Sequence, residues 1–113
     1  MISAWITKGR QTVDLLSIPA NSYIMRAHCH VTQAFNSDGT DTIVVGTDAD
    51  PDAVIASIDV SSTGIKSITL GVNAGFNGAS QQFKIVYSNS GSEPTTGAAL
   101  FLFEIEKVPN SPI

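Results

Sequence analysis

The chain has 113 residues, of which 42% are hydrophobic and only 14% charged, with a formal net charge of −4. That length fits a single domain able to bury roughly 60–70% of its unfolded surface. The acidic balance disfavours a general electrostatic attraction to nucleic acid or anionic lipid, and the charged share, well under the usual value of about 25%, leads us to expect part of the surface to be covered by partner chains.

The basic residues Lys8, Arg10, Arg26, Lys66, Lys84 and Lys107 stand singly and form no basic run. One cysteine, Cys29, excludes an intrachain disulfide and a structural zinc cluster, and fits folding in a reducing cytosol. Met1–Trp5 lacks the basic start and apolar run of a secretion signal. Apolar stretches such as Ala98–Phe103 fall far short of the roughly 20 residues that span a bilayer.

Ile2–Thr7 is a short apolar segment holding the single tryptophan, Trp5, and Lys8–Arg10 follows as a turn. Thr12–Ile18 reads as a strand broken by Pro19. Tyr23–Phe35 is the longest strand candidate. Period-two alternation places Tyr23, Met25, Ala27, Cys29 and Val31 on a core face, with Ile24, Arg26, His28, His30 and Thr32 opposite.

Asp38-Gly39 is a favoured hairpin dipeptide, and the β-branched run Thr42–Gly46 reads as a buried strand. Pro51 ends the next turn's pairing. Beyond it, Val54, Ala56, Ile58 and Val60 alternate with Ile55, Ser57 and Asp59 as a half-buried strand, a helix over 52–59 being the competitor. Ile65–Val72, Gln82–Tyr87 and Ala98–Val108 complete the set, separated by the loops Asn73–Ser80 and Ser88–Gly97. Leu100–Phe103 is apolar on both faces, and residues 109–113 form a proline-punctuated tail. About eight strands with turn signals between them predict an all-β chain. The expected architecture is an antiparallel β-sandwich of jelly-roll type, one domain over 1–113 with an extended N-terminal arm (1–7) and a C-terminal tail (108–113).

Candidate chemistry is sparse. His28 and His30 share a strand face at a spacing that binds metal, yet the same face offers only the cation Arg26 beside them; packed against a partner, such a face responds to pH. Asp48, Asp50 and Asp52 alternate and Asp59 falls where a calcium loop would close, but Ala53 stands where the loop needs glycine and Pro51 stiffens it. Cys29 lies on the core side of its strand, away from both histidines, which disfavours thiol catalysis. The chain has no strained GxSxG elbow, and Asn73–Ser80 lacks the lysine and helix of a phosphate cradle. Trp5, Phe35, Phe76 and Tyr87 could form a sugar-stacking platform, although aromatics at 7% are more often core. No cofactor, metal or catalytic residue is expected.

The run AFNSDGTDTIVVGTDADPDA and the closing PTTGAALFLFEIE resemble small virion proteins of tailed bacteriophages. The matching residues are Phe35 and Asn36, Val45–Asp48, Asp50–Asp52 and Pro94–Gly97, within a resemblance spanning Tyr23 to Val108. It implies a β-sandwich that decorates or cements capsids, made in the host cytoplasm and located on the capsid surface of the virion. The implied partners are the major capsid protein and further copies of the chain, as a dimer or trimer, with no direct contact to nucleic acid or membrane. Unpaired extended ends can add to a neighbouring sheet, so Met1, Ile2, Trp5, Val108, Pro109 and Ile113 are the expected interface residues, with loops 73–80 and 88–97 facing outwards. The alternative is a tail- or fibre-associated carbohydrate-binding or adaptor module using Phe76 and Asn77.

Overall fold

The computed structural model describes residues 2–14, 22–47, 50, 52, 54–66, 68, 76–77 and 82–107. Among them lie nine strands and no helix: β1 (Ile2–Thr7), β2 (Thr12–Asp14), β3 (Ser22–Gln33), β4 (Asp41–Gly46), β5 (Ile55–Asp59), β6 (Gly64–Lys66), β7 (Phe76–Asn77), β8 (Lys84–Asn89) and β9 (Ala98–Lys107). They form two antiparallel sheets packed as a β-sandwich. The larger runs β1-β9-β3-β6, with β7 against the start of β3, and the smaller runs β2-β8-β4-β5. The chain therefore crosses between sheets at nearly every connection, the β4–β5 hairpin being one that stays within a sheet.

The core is what strand alternation dictates. From the larger sheet Ile6, Ile24, Cys29, Val31, Ala99, Phe101 and Phe103 point inwards; from the smaller come Val13, Ile43, Val45, Ile55, Ile58, Ile85 and Tyr87. Phe101 and Phe103 lie two apart on one face of β9, their ring centres 6.1 Å apart. Truncating either to alanine would cost about 3–5 kcal/mol.

Three expectations change at this level. The strand phase of Tyr23–Phe35 is right from Arg26 through Val31, with Ala27 packed against the core, but reversed at Ile24 and Met25. A register shift against β9 between Ile24 and Arg26 turns Ile24 inwards and leaves Met25 54% exposed, as a bulge does by adding a residue that the partner strand lacks. A second shift, between Ile43 and Val45 of β4, sets Ile58 and Ile55 of β5 opposite them. Ile55 is thus buried and Ala56 exposed, the reverse of simple alternation, and the helix competitor over 52–59 gives way to strand. The expected arm is the third. Ile2–Thr7 is an edge strand whose residues pair with β9 from Ile2↔Phe103 to Thr7↔Ala98. The tail at 108–113 and most of the expected strand over 65–72 lie outside the described residues.

One end of the sandwich is stitched by the turn residues picked out in the sequence. Phe35, just past β3, stacks on Tyr87 of β8 with ring centres 4.6 Å apart. The Tyr87 hydroxyl donates to the carboxylate of Asp41 at 2.5 Å, which also accepts from the Ser37 amide at 3.2 Å. Burial, reinforced by that neighbouring carboxylate, raises the Tyr87 phenol above its ordinary pKa. Asn36 joins the two crossing loops. Its side-chain oxygen accepts from the amides of Thr95 and Thr96 at 2.7 and 3.0 Å, and its side-chain nitrogen donates to the Thr95 hydroxyl at 2.8 Å. The Thr96 hydroxyl donates to the Ala34 carbonyl at 2.8 Å, and the Gly97 amide to the Gln33 side chain at 3.2 Å. Loop 88–97 is therefore tied down at Thr95–Gly97, while Ser90–Glu93 are exposed.

Gly97 is the tightest point of this latch. Its φ of 150° lies where side chains are strained, and a Cβ there would collide with the Phe35 ring. Gly97→Ala should lower unfolding stability by on the order of 2–3 kcal/mol. Gly9→Ala, with nothing within 4 Å of the added atom, should move the urea midpoint little. Equal shifts for the two variants would remove Gly97 from this role.

Candidate interaction surface

The outward face of the larger sheet is apolar in a way its smaller partner is not. Pairing registers align Trp5 of β1, Leu100 of β9, His30 of β3 and Ile65 of β6 in one row across four strands. Beneath it run Ser3, Leu102 and His28, and then Glu104 and Arg26. Trp5 is 50% and Ile65 76% exposed, while Leu100 and Leu102 are half-buried between them. With Met25, Trp5 and Ile65 are the exposed large apolar side chains among the described residues, and all three sit on the larger sheet. The smaller sheet turns Thr12, Asp14, Ala56, Ser57, Asp59 and Ser88 to solvent, and its outer apolar pair, Val44 and Val86, is half-buried among them.

Charge frames this face without filling it. Arg26 Nε lies 3.2 Å from Glu104 Oε2, an exposed pair worth at most about 1 kcal/mol. The ammonium of Lys66 donates to the Ser62 hydroxyl at 2.8 Å. Met25, pushed out by the bulge, borders two open grooves. One runs towards His28 and Ile65, the other towards Glu104 and Ile105. A flexible thioether at such a position adapts to whatever packs on it.

Of the expected interface residues, Trp5 is placed on this face. Ile2 is described as part of the β1 backbone, and Met1, Val108, Pro109 and Ile113 lie outside the described residues. Sequence reasoning missed Met25, Ile65, Leu100 and Leu102 as surface. For the two leucines a signal existed, since a run apolar on both faces of one strand must turn one set outwards.

The other candidates resolve into structure. His28 and His30 are exposed on the face opposite buried Cys29. No group of three or more metal-ligating side chains gathers among the described residues. Asp48 lies outside those residues. Asp50 is exposed and shares a hydrogen bond with Asp52 that raises its carboxyl pKa. Asp59 accepts from the amide and hydroxyl of Ser61 at 2.9 and 2.6 Å, which lowers its own. The aromatic platform dissolves, because Phe35 and Tyr87 are buried against each other.

No protein-family model matches the chain, and no curated protein sequence does. In fold it is similar to a chain of the Cyanophage Pam1 capsid asymmetric unit. The TM-score is 0.61 over 88% of this chain and 78% of that one, at 11% sequence identity. That likeness is one of architecture.

Burial drives the Cys29 thiol from 9.0 up to about 11, with Lys66 opposing weakly. A pKa raised by folding adds stability below the unfolded value that is lost as pH climbs through the folded one. The native thiol should resist a disulfide reagent at neutral pH and react once denatured. Stability should fall between pH 9 and about 11 more steeply than in Cys29→Ala. Parallel pH profiles for the two chains would place the titration elsewhere.

Proposed function

We propose that the protein is a non-enzymatic virion structural protein that decorates and stabilises a tailed-phage capsid. The observation that carries this reading is the fold likeness to a chain of a phage capsid asymmetric unit, which agrees in kind with the turn-motif resemblance at Phe35–Asn36 and Pro94–Gly97. The strand order β1-β9-β3-β6 over β2-β8-β4-β5 is read as a jelly roll. Its bare outer face is read as the surface that is covered when the protein is in place.

In this mechanism small homo-oligomers sit on the capsid surface across joints between major capsid protein subunits. The row Trp5–Leu100–Ile65 loses its water there, at about 25 cal/mol for each Å² of apolar surface removed. Such contacts oppose separation of the joined subunits and so resist the outward pressure of packaged DNA. No bond is made or broken, which suits a chain whose turn carboxylates serve as hydrogen-bond acceptors and whose thiol is buried.

The purified protein should bind undecorated phage shells and appear as stoichiometric density at capsid symmetry positions. Trp5→Ala and Ile65→Asp should each reduce occupancy by on the order of tenfold or more, as expected for an aromatic anchor and for a charge set into an apolar contact. Wild-type occupancy in both variants would exclude this face, and no density from the wild-type chain would sink the capsid reading.

A further inference from the structure

We propose that β1 is a homodimerisation edge, on which a second copy of β1 pairs antiparallel about a two-fold axis at Ala4. Among the described residues β1 ends the larger sheet. Its residues Ile2–Thr7 carry none of the devices that normally blunt an edge: no charge, no proline, no bulge. Backbone geometry shows which groups face outwards. Thr7 exchanges both its amide and its carbonyl with Arg10, at 3.2 and 3.0 Å, on the side away from β9, while the Lys8 amide donates to the Gly97 carbonyl at 3.1 Å on the β9 side. Since strand residues alternate, the amides and carbonyls of Trp5 and Ser3 share the open side with Thr7.

The Thr7–Arg10 bridge closes one end of that edge, so what stays open among the described residues is short and centred on Ala4. A second β1 related by a two-fold axis there sets Ser3 opposite Trp5 of the other copy, and Trp5 opposite its Ser3. Each pair exchanges two backbone hydrogen bonds, while the two Ala4 residues meet as a non-hydrogen-bonded pair. The side chains fit this register. Trp5 and Ser3 both face outwards and are exposed, so each indole lies beside a small serine instead of another indole. Past that serine lies Leu102, its register partner on β9. The two larger sheets become one continuous sheet, and the outward rows of both copies fall on one side of it. This pairing needs no shell and stands independently of the capsid reading.

The test is the solution mass of the full chain with three substitutions. Wild type should sediment as a dimer at micromolar concentration. Ser3→Pro removes an amide that faces away from β9, so the fold should hold. The dimer should weaken by on the order of tenfold or more with the loss of two backbone hydrogen bonds, whereas Ser3→Ala should remain dimeric. Ala4→Cys should cross-link to its symmetry mate under mild oxidation, independently of whether the proline variant folds. A monomeric wild type, a dimer indifferent to Ser3→Pro in a folded chain, or an Ala4→Cys chain that does not cross-link overturns the pairing. Monomers that still decorate shells would sink the edge alone; dimers that never decorate would sink the capsid reading alone.

Discussion

The stack of Phe35 on Tyr87, closed beneath by Asp41 and from the side by Gly97, is the constraint on which the sandwich turns. Each member comes from a different place in the chain: the end of β3, the middle of β8, the start of β4 and the turn before β9. Two belong to the larger sheet's connections and two to the smaller sheet. A contact that joins both sheets at one end fixes how they face each other, which hydrophobic burial alone, being non-directional, leaves open. Val60 adds a third tie, accepting from the Phe35 amide and donating to the Asp41 carbonyl, each at 3.0 Å.

A carboxylate 2% exposed would be costly without partners. Asp41 has them in the Tyr87 hydroxyl and the Ser37 amide, and no buried side-chain polar atom among the described residues is left without one. A satisfied polar group in a core penalises alternatives more than it adds to stability. Any slip of β4 against β8 would strand Asp41 in apolar surroundings. That explains why turn residues, ordinarily replaceable, are so specific here: Asn36 satisfies two amides of the opposite loop, and no apolar residue of its size could.

Much of this was legible locally and little of it globally. Alternation placed Ala27, Cys29 and Val31 correctly, because the stretch of β3 from Arg26 to Val31 keeps phase with β9. It failed at Met25 and Ala56, because a bulge is a property of two paired strands and leaves no mark in one of them. Ile2–Thr7 read as a free arm for the same reason: nothing in six residues tells whether β9 will lie beside them. Asn36 and Pro94–Gly97 announced turns, but that one turn serves the other depends on a crossing roughly 60 residues apart in sequence. The exposed face was the least visible, since Trp5, Leu100, His30 and Ile65 become neighbours only through register.

That face and the core depend on the same register, and β9 makes the dependence acute. With Leu100-Phe101-Leu102-Phe103 apolar on both sides, a slip by one residue exchanges leucines for phenylalanines and loses little burial, so side-chain pattern specifies the strand only weakly. What holds it lies at its two ends. Upstream, Thr96 and Gly97 are bonded to Ala34 and Gln33, and Gly97 accepts Phe35 where no other residue can. Downstream, Arg26 meets Glu104 across the β3–β9 pair at the bulge. Moving β9 by one residue would part that ion pair and set a side chain against the Phe35 ring. It would also turn the phenylalanines out into the row that now presents Trp5, Leu100 and Ile65. The latch that joins the sheets at one end thereby decides which apolar side chains the molecule keeps and which it offers.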